Sequence, residues 1–338
     1  MLFVIYHQWE KLPEEANVLF AECEQQSLFY SRVWLETLSE YALAKSQTLL
    51  LACVVENNSF KAILPMKQCA QNGLSALSTN FTSQFSLLIA NSHSQVAIIS
   101  CLVDGLVQMS VNSLQLDPID SADSNMSGLC KVMCARGYQG YDYFKFYNWS
   151  HFLNGQSFDE YMAARPATVR NTIDRKRRKL EREHDYDIRL YQDRFLDQAI
   201  NDYQEVYIKS WKANEVYSDF TPNLVKNLSR QGWLRMAILY INSQPAAAQI
   251  WFVVHAKAYI YRLVFDEKWR TYSPGSILTH YLLHHVIEKD KVLLIDFLVG
   301  NERYKQDWMT SRRELIGIRF ALQKTHKSRL AKIIHSIK

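Results

Sequence analysis

The chain of 338 residues has few of the residues that interrupt regular structure. Ten glycines and seven prolines leave no room for collagen-like, mucin-like or Gly/Ser-linker segments. It has no run approaching the roughly 18–20 apolar residues that cross a bilayer. Its first stretch, MLFVIYHQWEKLPEE, has a short apolar run without a basic flank or a small-residue cleavage site, so it reads as a first β-strand rather than a signal peptide. The expectation is a cytoplasmic protein whose six cysteines (23, 53, 69, 101, 130 and 134) are free thiols in a reducing compartment. No C-x-x-C occurs, and Cys130 with Cys134 on one helix is too little for zinc. Also missing are G-x-S-x-G, H-E-x-x-H and a P-loop, and no G-x-G-x-x-G follows a strand. These absences count against serine hydrolases, zincins, P-loop NTPases and Rossmann enzymes.

What is present is an ordinary globular composition, 48% apolar, at a length that suggests about two domains. The net charge of +5 is unevenly spread: residues 1–155 carry 8 Lys/Arg against 13 Asp/Glu, and residues 156–338 carry 31 against 21. An acidic first half and a basic second half place any anionic partner on the second.

Apolar periodicity and turn residues give the order of elements. The first half reads as a strand from Leu2, helices near 13–23 and after Ser31, and strands 48–56 and 60–67 joined by Asn57-Asn58, a type I′ signal. Strands near 74–78 and 85–90 follow, then a helix 93–110, a strand 113–116, a helix 124–136 and a strand 141–147. The second half opens on the capping box Ser157-x-x-Glu160, and its helical pattern runs past Pro166 through a basic stretch to Glu183. A strand 187–191, two helices, a three-strand meander (234–241, 247–254, 258–265), a helix after Gly275, a strand 292–298, a short helix and a strand 314–320 complete it. Both halves thus repeat one order of α and β elements. The predicted domains are 1–150 and 151–323, followed by a basic amphipathic tail, 324–338, that either docks as a terminal helix or touches an anionic membrane surface.

Three segments can carry chemistry. Arg270-Thr-Tyr-Ser273-Pro-Gly275-Ser276 precedes a helix whose first N–H groups suit a phosphate; the plainer reading is a capped helix start. Asp296-Phe-Leu-Val-Gly300-Asn-Glu302-Arg-Tyr304-Lys305 sets a carboxylate at the end of a buried strand, where ligands of α/β folds gather, or is a charged turn. Arg165–Arg182 holds eight basic residues with a narrow stripe of Val169, Ile173 and Leu180. It is a solvated helix face or a phosphate-binding one. His280 and His284, one turn apart, lack a third metal ligand, so no metal is expected.

On these residues the chain resembles the GNAT-type acyltransferases of the bacterial CelD-like cellulose-biosynthesis group, relatives of the Fem aminoacyl transferases. The pieces are Arg170-Asn171-x-x-x-Arg175-Lys-Arg-Arg-Lys-Leu180, Ser273-Pro274-Gly275-Ser276-x-Leu278, and Asp296-Phe-x-x-Gly300-x-Glu302-x-Tyr304-Lys305-x-x-Trp308, with Phe29-x-Ser31-x-x-Trp34-Leu35 and Ile63-Leu64-Pro65-Met66 in the first half. The resemblance spans about residues 29–310. It implies a mixed-sheet α/β fold of two tandem GNAT-like domains with a cleft between them, an acyl-coenzyme A donor such as acetyl-coenzyme A, and an amine acceptor on a small molecule or glycan precursor. Arg170, Asn171, Arg270, Ser273, Gly275 and Ser276 would hold the donor, and a backbone N–H near Val264 or Phe265 would receive the acyl carbonyl. Asp296 or Glu302 would serve as base and Lys305 as an added positive charge. The family's Arg/Gln-x-x-Gly-x-Gly/Ala loop reads Arg270-x-x-Ser273-x-Gly275 here, losing one glycine and gaining Pro274. That departure keeps open a Fem-like donor, aminoacyl-tRNA, for which the basic helix would suit RNA phosphates. A third reading is a non-catalytic relative that binds polysaccharide machinery or RNA. The oligomeric state is left open.

Overall fold

The computed structural model describes residues 1–69, 73–91, 94–213 and 215–322. The predicted tail lies outside these residues. Tight two-residue turns shape much of the fold. Asn57 and Asn58 both adopt positive φ, as do Asn242-Ser243 and His255-Ala256, and each pair closes a hairpin. The chain divides into two units: one of 1–39, 43–145 and the strand that returns at 315, the other of 40–42 and 146–314.

The elements of the first unit are β1 (Leu2–Tyr6), α1 (Ala16–Glu24), α2 (Arg32–Tyr41, whose end is counted with the second unit), β2 (Thr48–Glu56), β3 (Ser59–Cys69), β4 (Gly73–Ala76), β5 (Leu88–Ile89), α3 (Gln95–Gln108), β6 (Ser113–Asp120), α4 (Ser124–Ala135) and the first part of β7 (Tyr138–Phe152). Strands β1 to β4 pair antiparallel in sequence order. α3 then carries the chain over to β6, which lies parallel to β4. Apolar residues that alternate along the strands (Leu50, Ala52 and Val54; Ala62, Leu64 and Met66) meet Leu102, Val103 and Leu106 of α3 in one core. The predicted strand at 85–90 shrinks to Leu88–Ile89, paired with β3.

The second unit takes the rest of β7, then α5 (Phe158–Ala163), α6 (Ala167–Glu183), β8 (Tyr186–Tyr191), α7 (Leu196–Ile208), α8 (Phe220–Arg230), β9 (Leu234–Ile241), β10 (Gln244–Val254), β11 (Lys257–Phe265), α9 (Pro274–Glu288), β12 (Leu294–Val299) and α10 (Lys305–Trp308). From β8 onward its order is that of the first unit, without an equivalent of β5. β8 to β11 pair antiparallel in sequence order, α9 crosses over, and β12 lies parallel to β11. The capping box at Ser157 and Glu160 forms as expected, and Pro166 separates α5 from α6. One face of the sheet packs on α5, α6 and α9 through Trp251, Ala247, Leu278, Leu282 and Trp308.

The last strand, β13 (Ser311–Leu322), departs from the sequence reading. Its residues from Leu315 pair antiparallel with β6, so it completes the first unit, not the second. The matching place in the second unit, beside β12, is filled by the end of β7.

Candidate active site

The site begins where two parallel strands part. β11 and β12 pair only at Lys257–Tyr259 against Leu294–Asp296, and β11 continues alone to Phe265. On its other side β11 stays bound to β10, where the Asp266 N–H reaches the Ala246 carbonyl at 2.9 Å. Antiparallel pairs alternate, so Val264 turns its N–H toward β10 while Phe265 and Leu263 turn theirs toward the side that β12 has left. Of the two positions expected to receive an acyl carbonyl, Phe265 has the open donor.

After Phe265 the Asp266 carboxylate caps a 3-10 turn at the Lys268 N–H, and Ser273, at φ +52°, leads into α9. Pro274 at the first helical position has no N–H, and Ser276 and Ile277 turn theirs back onto the Ser273 carbonyl at 3.0 and 3.2 Å. Gly275 therefore supplies the remaining first-turn donor. Its own carbonyl is pinned by the buried Gln249 amide at 2.8 Å, a tie the sequence did not signal. Arg270 is exposed and pairs with Glu267.

The basic helix α6 braces this turn. Lys176 donates to the Thr271 carbonyl, the Lys179 ammonium lies 4.7 Å above the Tyr272 ring, and the Tyr272 hydroxyl reaches Glu183 at 2.8 Å. The Arg170 guanidinium bonds the Ala163 carbonyl at the end of α5. Asn171 lies with Arg175, Arg178 and Arg182 along an open depression on the outer face of α6. His280 and His284 set their ring planes edge-on to Phe158, and no group of metal-ligating side chains occurs among the described residues.

The end of β12 carries the second set of candidate residues. Asp296 is buried; its carboxylate accepts from the Asn148 amide and the Leu298 N–H, both at 2.7 Å, and lies 3.8 Å from Arg313. Burial raises its pKa, against the pull of Arg313 and these donors. Leu298 and Gly300 take positive φ, and Lys305 holds the resulting bend. The Lys305 ammonium donates to the carbonyls of Phe297 and Val299 and faces Glu302 at 3.4 Å, so three acceptors meet its three N–H groups. At 5% exposure Lys305 is a buried clamp on the strand end, with its pKa lowered by burial, rather than a cation facing a substrate. Glu302 is exposed.

Sequence reasoning missed a second polar group. Near Tyr261 the register of β11 against β10 slips by one residue, which turns Tyr261 and Arg262 to the same face. Arg262 lies 4.6 Å over the Tyr261 ring and 3.1 Å from Glu215.

With this geometry in place, comparison with known proteins is informative. Residues 167–306 match the family model of the acetyltransferase (GNAT) domain. Among solved structures the whole chain is similar to FemX (TM-score 0.64, 9% identity, 98% of this chain and 99% of that one). It is similar also to the C-terminal domain of a putative lysylphosphatidylglycerol synthetase from Agrobacterium fabrum (0.58, 10%, 96% and 96%). A third is a tandem GNAT protein from the clavulanic acid biosynthesis pathway (0.53, 12%, 96% and 99%). No curated protein matches it in sequence. At such identities these structures speak for the fold. The parted strands β11 and β12, with α9 between them in sequence, lie within the matched residues, and the chain is an acyltransferase with a GNAT domain in its second unit.

Proposed function

We propose that the protein transfers an acyl group from acyl-coenzyme A to an amine on a cell-envelope or exopolysaccharide precursor. The observation that carries the acyl-transfer reading is the unpaired edge of β11, with the Phe265 N–H aimed into the gap left by β12. A donor held there presents its carbonyl to a fixed dipole, which gains strength as the tetrahedral oxyanion forms. The Gly275 N–H and the positive end of α9 lie further along for the donor's phosphates. The attacking amine must lose a proton. In this reading Glu302, exposed beside the buried Lys305, takes it directly, and Asp296 acts only through an intermediary, because it is buried. The envelope acceptor is supported by the fold shared with a putative lysylphosphatidylglycerol synthetase.

A second reading, aminoacyl-tRNA as donor, is favoured by one specific observation. Pro274 and the turned-back N–H groups of Ser276 and Ile277 leave few donors for a pyrophosphate, while Arg175, Arg178 and Arg182 line an open face.

The Gly275→Asp variant separates the two. A Cβ at Gly275 meets only ordinary contacts, 3.5 Å from Leu263 and Phe265, and an acidic residue suits a helix start. The Cβ itself is accommodated, and a carboxylate on it repels phosphate. Calorimetry should show coenzyme A binding at least tenfold weaker with an unchanged melting temperature. Equal affinity in both proteins would sink the coenzyme A assignment. For the second reading, neutralising Arg175, Arg178 and Arg182 should lower the dependence of log affinity for tRNA on log salt by about 0.7–0.9 per lost contact.

A further inference from the structure

We propose that Lys212, beside the Arg262–Glu215 pair, binds an anionic group of the acceptor, a carboxylate or a phosphoryl group. This deepens the acyl-transfer reading and rests on it for the word acceptor. The segment after α7 is tied to the end of β11. The Glu267 N–H reaches the Lys209 carbonyl at 3.3 Å, and the Trp211 ring lies 4.6 Å from that of Phe265, the residue whose N–H faces the open gap. Lys212 follows Trp211 directly in the chain, one residue from the ring that packs on Phe265.

The carboxylates around it are engaged elsewhere. Glu215 already serves Arg262 at 3.1 Å and the Thr221 hydroxyl at 3.1 and 3.3 Å. Glu302 serves Lys305. Lys212 is half-buried and has no ion pair among the described residues, and its field is set by Arg262, Glu215, Glu302 and Lys305. Each of these carboxylates is thus already engaged by another cation, Glu215 by Arg262 and Glu302 by Lys305. Burial, then Arg262, lowers the pKa of Lys212 to about 8, the state of a cation that lacks a counter-ion. The Tyr203 hydroxyl, buried and without a hydrogen-bond partner, lies within the field of the same Arg262 and Glu215. A bound anion supplies what this group lacks, an acceptor for the ammonium and a neutralising charge.

The test reads Lys212 itself. Lysines are reductively methylated with carbon-13, and the Lys212 signal is assigned by its loss in Lys212→Met. Inorganic phosphate or acetate is then titrated at constant ionic strength. The expected result is a saturating shift of the Lys212 signal, absent from exposed Lys289. Saturation at lower phosphate than acetate identifies a phosphoryl-bearing acceptor, and the reverse identifies a carboxylate. A signal that drifts linearly with both anions, as Lys289 does, overturns the proposal, whether or not Lys212→Met folds. No donor is present, so failure here leaves acyl transfer standing, and failure of every transfer assay leaves this binding standing. With an active acceptor, Lys212→Met should raise its KM at least tenfold while changing kcat by under threefold. An unchanged KM overturns the assignment to the acceptor.

Discussion

The two units carry the same irregularity in the same strand. In β6 an extra residue lies between Leu116 and Ile119, opposite Ile318 and Ile316; in β12 one lies between Asp296 and Val299, opposite Ser150 and Asn148. An aspartate sits at each bulge, and there the likeness ends. In the first unit Asp117 accepts from the Gln115 amide at 2.8 Å and the Tyr143 hydroxyl at 2.7 Å, and lies 3.1 Å from Lys145. Burial works to raise its pKa, but those three partners outweigh it and the net shift is downward. In the second unit burial prevails at Asp296 and the shift is upward. One backbone device thus holds a settled anion in one copy and, in the other, a carboxyl group whose charge burial opposes. The first copy closes its side chains over the bulge, around a cavity of about 210 Å³ that Lys67, Asn80 and Gln115 also line. The second leaves β11 open beside it. The fold supplies the parting of the strands, and side chains decide whether it becomes a site.

Substitutions at the two bulges can break that comparison. The largest effect is expected at Gly300, where φ is +131° and a Cβ would fall 2.2 Å from Glu302 Oε2 and 2.7 Å from Lys305 Nζ. Gly300→Ala should cost about 1–3 kcal/mol and abolish transfer, by undoing the bend that Lys305 holds. At the other bulge, Gly317→Ala on the strand opposite β6 would press a Cβ 2.2 Å from the Tyr143 ring and should lower the melting temperature while transfer persists. If both variants lose transfer equally, the bulges are not functionally distinct.

Lys305→Ala comes next. It leaves the Phe297 and Val299 carbonyls without their donor, at about 1–3 kcal/mol for each buried group, so stability and turnover should fall together. Lys145→Ala removes a partly exposed ion pair and should cost under about 1 kcal/mol. Equal losses by denaturant titration would refute the clamp.

The aspartates sharpen the contrast through pH. Asp296 has a raised pKa, so its favourable contribution is present in acid, below the ordinary carboxylate range, and lost as pH rises through the raised value. Asp296→Asn should therefore stabilise the protein at neutral pH and not in acid. Asp117 has a lowered pKa, so its contribution is present above the ordinary carboxylate range and lost as pH falls through the lowered value. Asp117→Asn should destabilise at neutral pH and flatten the acid limb. Melting curves from pH 3 to 8 check both signs. The smallest effect is expected at Gly275→Ala: its Cβ has room, and the change should stabilise by about 0.4–1 kcal/mol.

Much of this was legible in the sequence because it depends on short-range chemistry. Asn57-Asn58, Ser157 with Glu160, and Pro166 each fixed a local conformation that the structure has. The spacing from Asp296 through Gly300 to Lys305 correctly brought ammonium and strand end together. Its meaning did not follow, since the three acceptors that surround Lys305 depend on a bend with Leu298 at positive φ, which no leucine signals. Arg170 looked free because its partner is a backbone carbonyl, that of Ala163. The Arg262–Glu215 pair spans 47 positions and rests on a register slip, a long-range event that periodicity does not register.

The return of the last strand to the first unit bears on how the protein is made. During synthesis β6 emerges early, yet its outer neighbour is translated some two hundred residues later. At about 5–20 residues per second, that edge waits on the order of ten seconds or more with its amides and carbonyls exposed. The second unit, continuous from residue 146 to 314 apart from the short piece at 40–42, has its strands in hand before the first is complete. The ribosome delivers the N-terminal unit first and finishes it last, so a nascent chain stalled near residue 310 would present β6 as a sticky edge to chaperones or to its own copies.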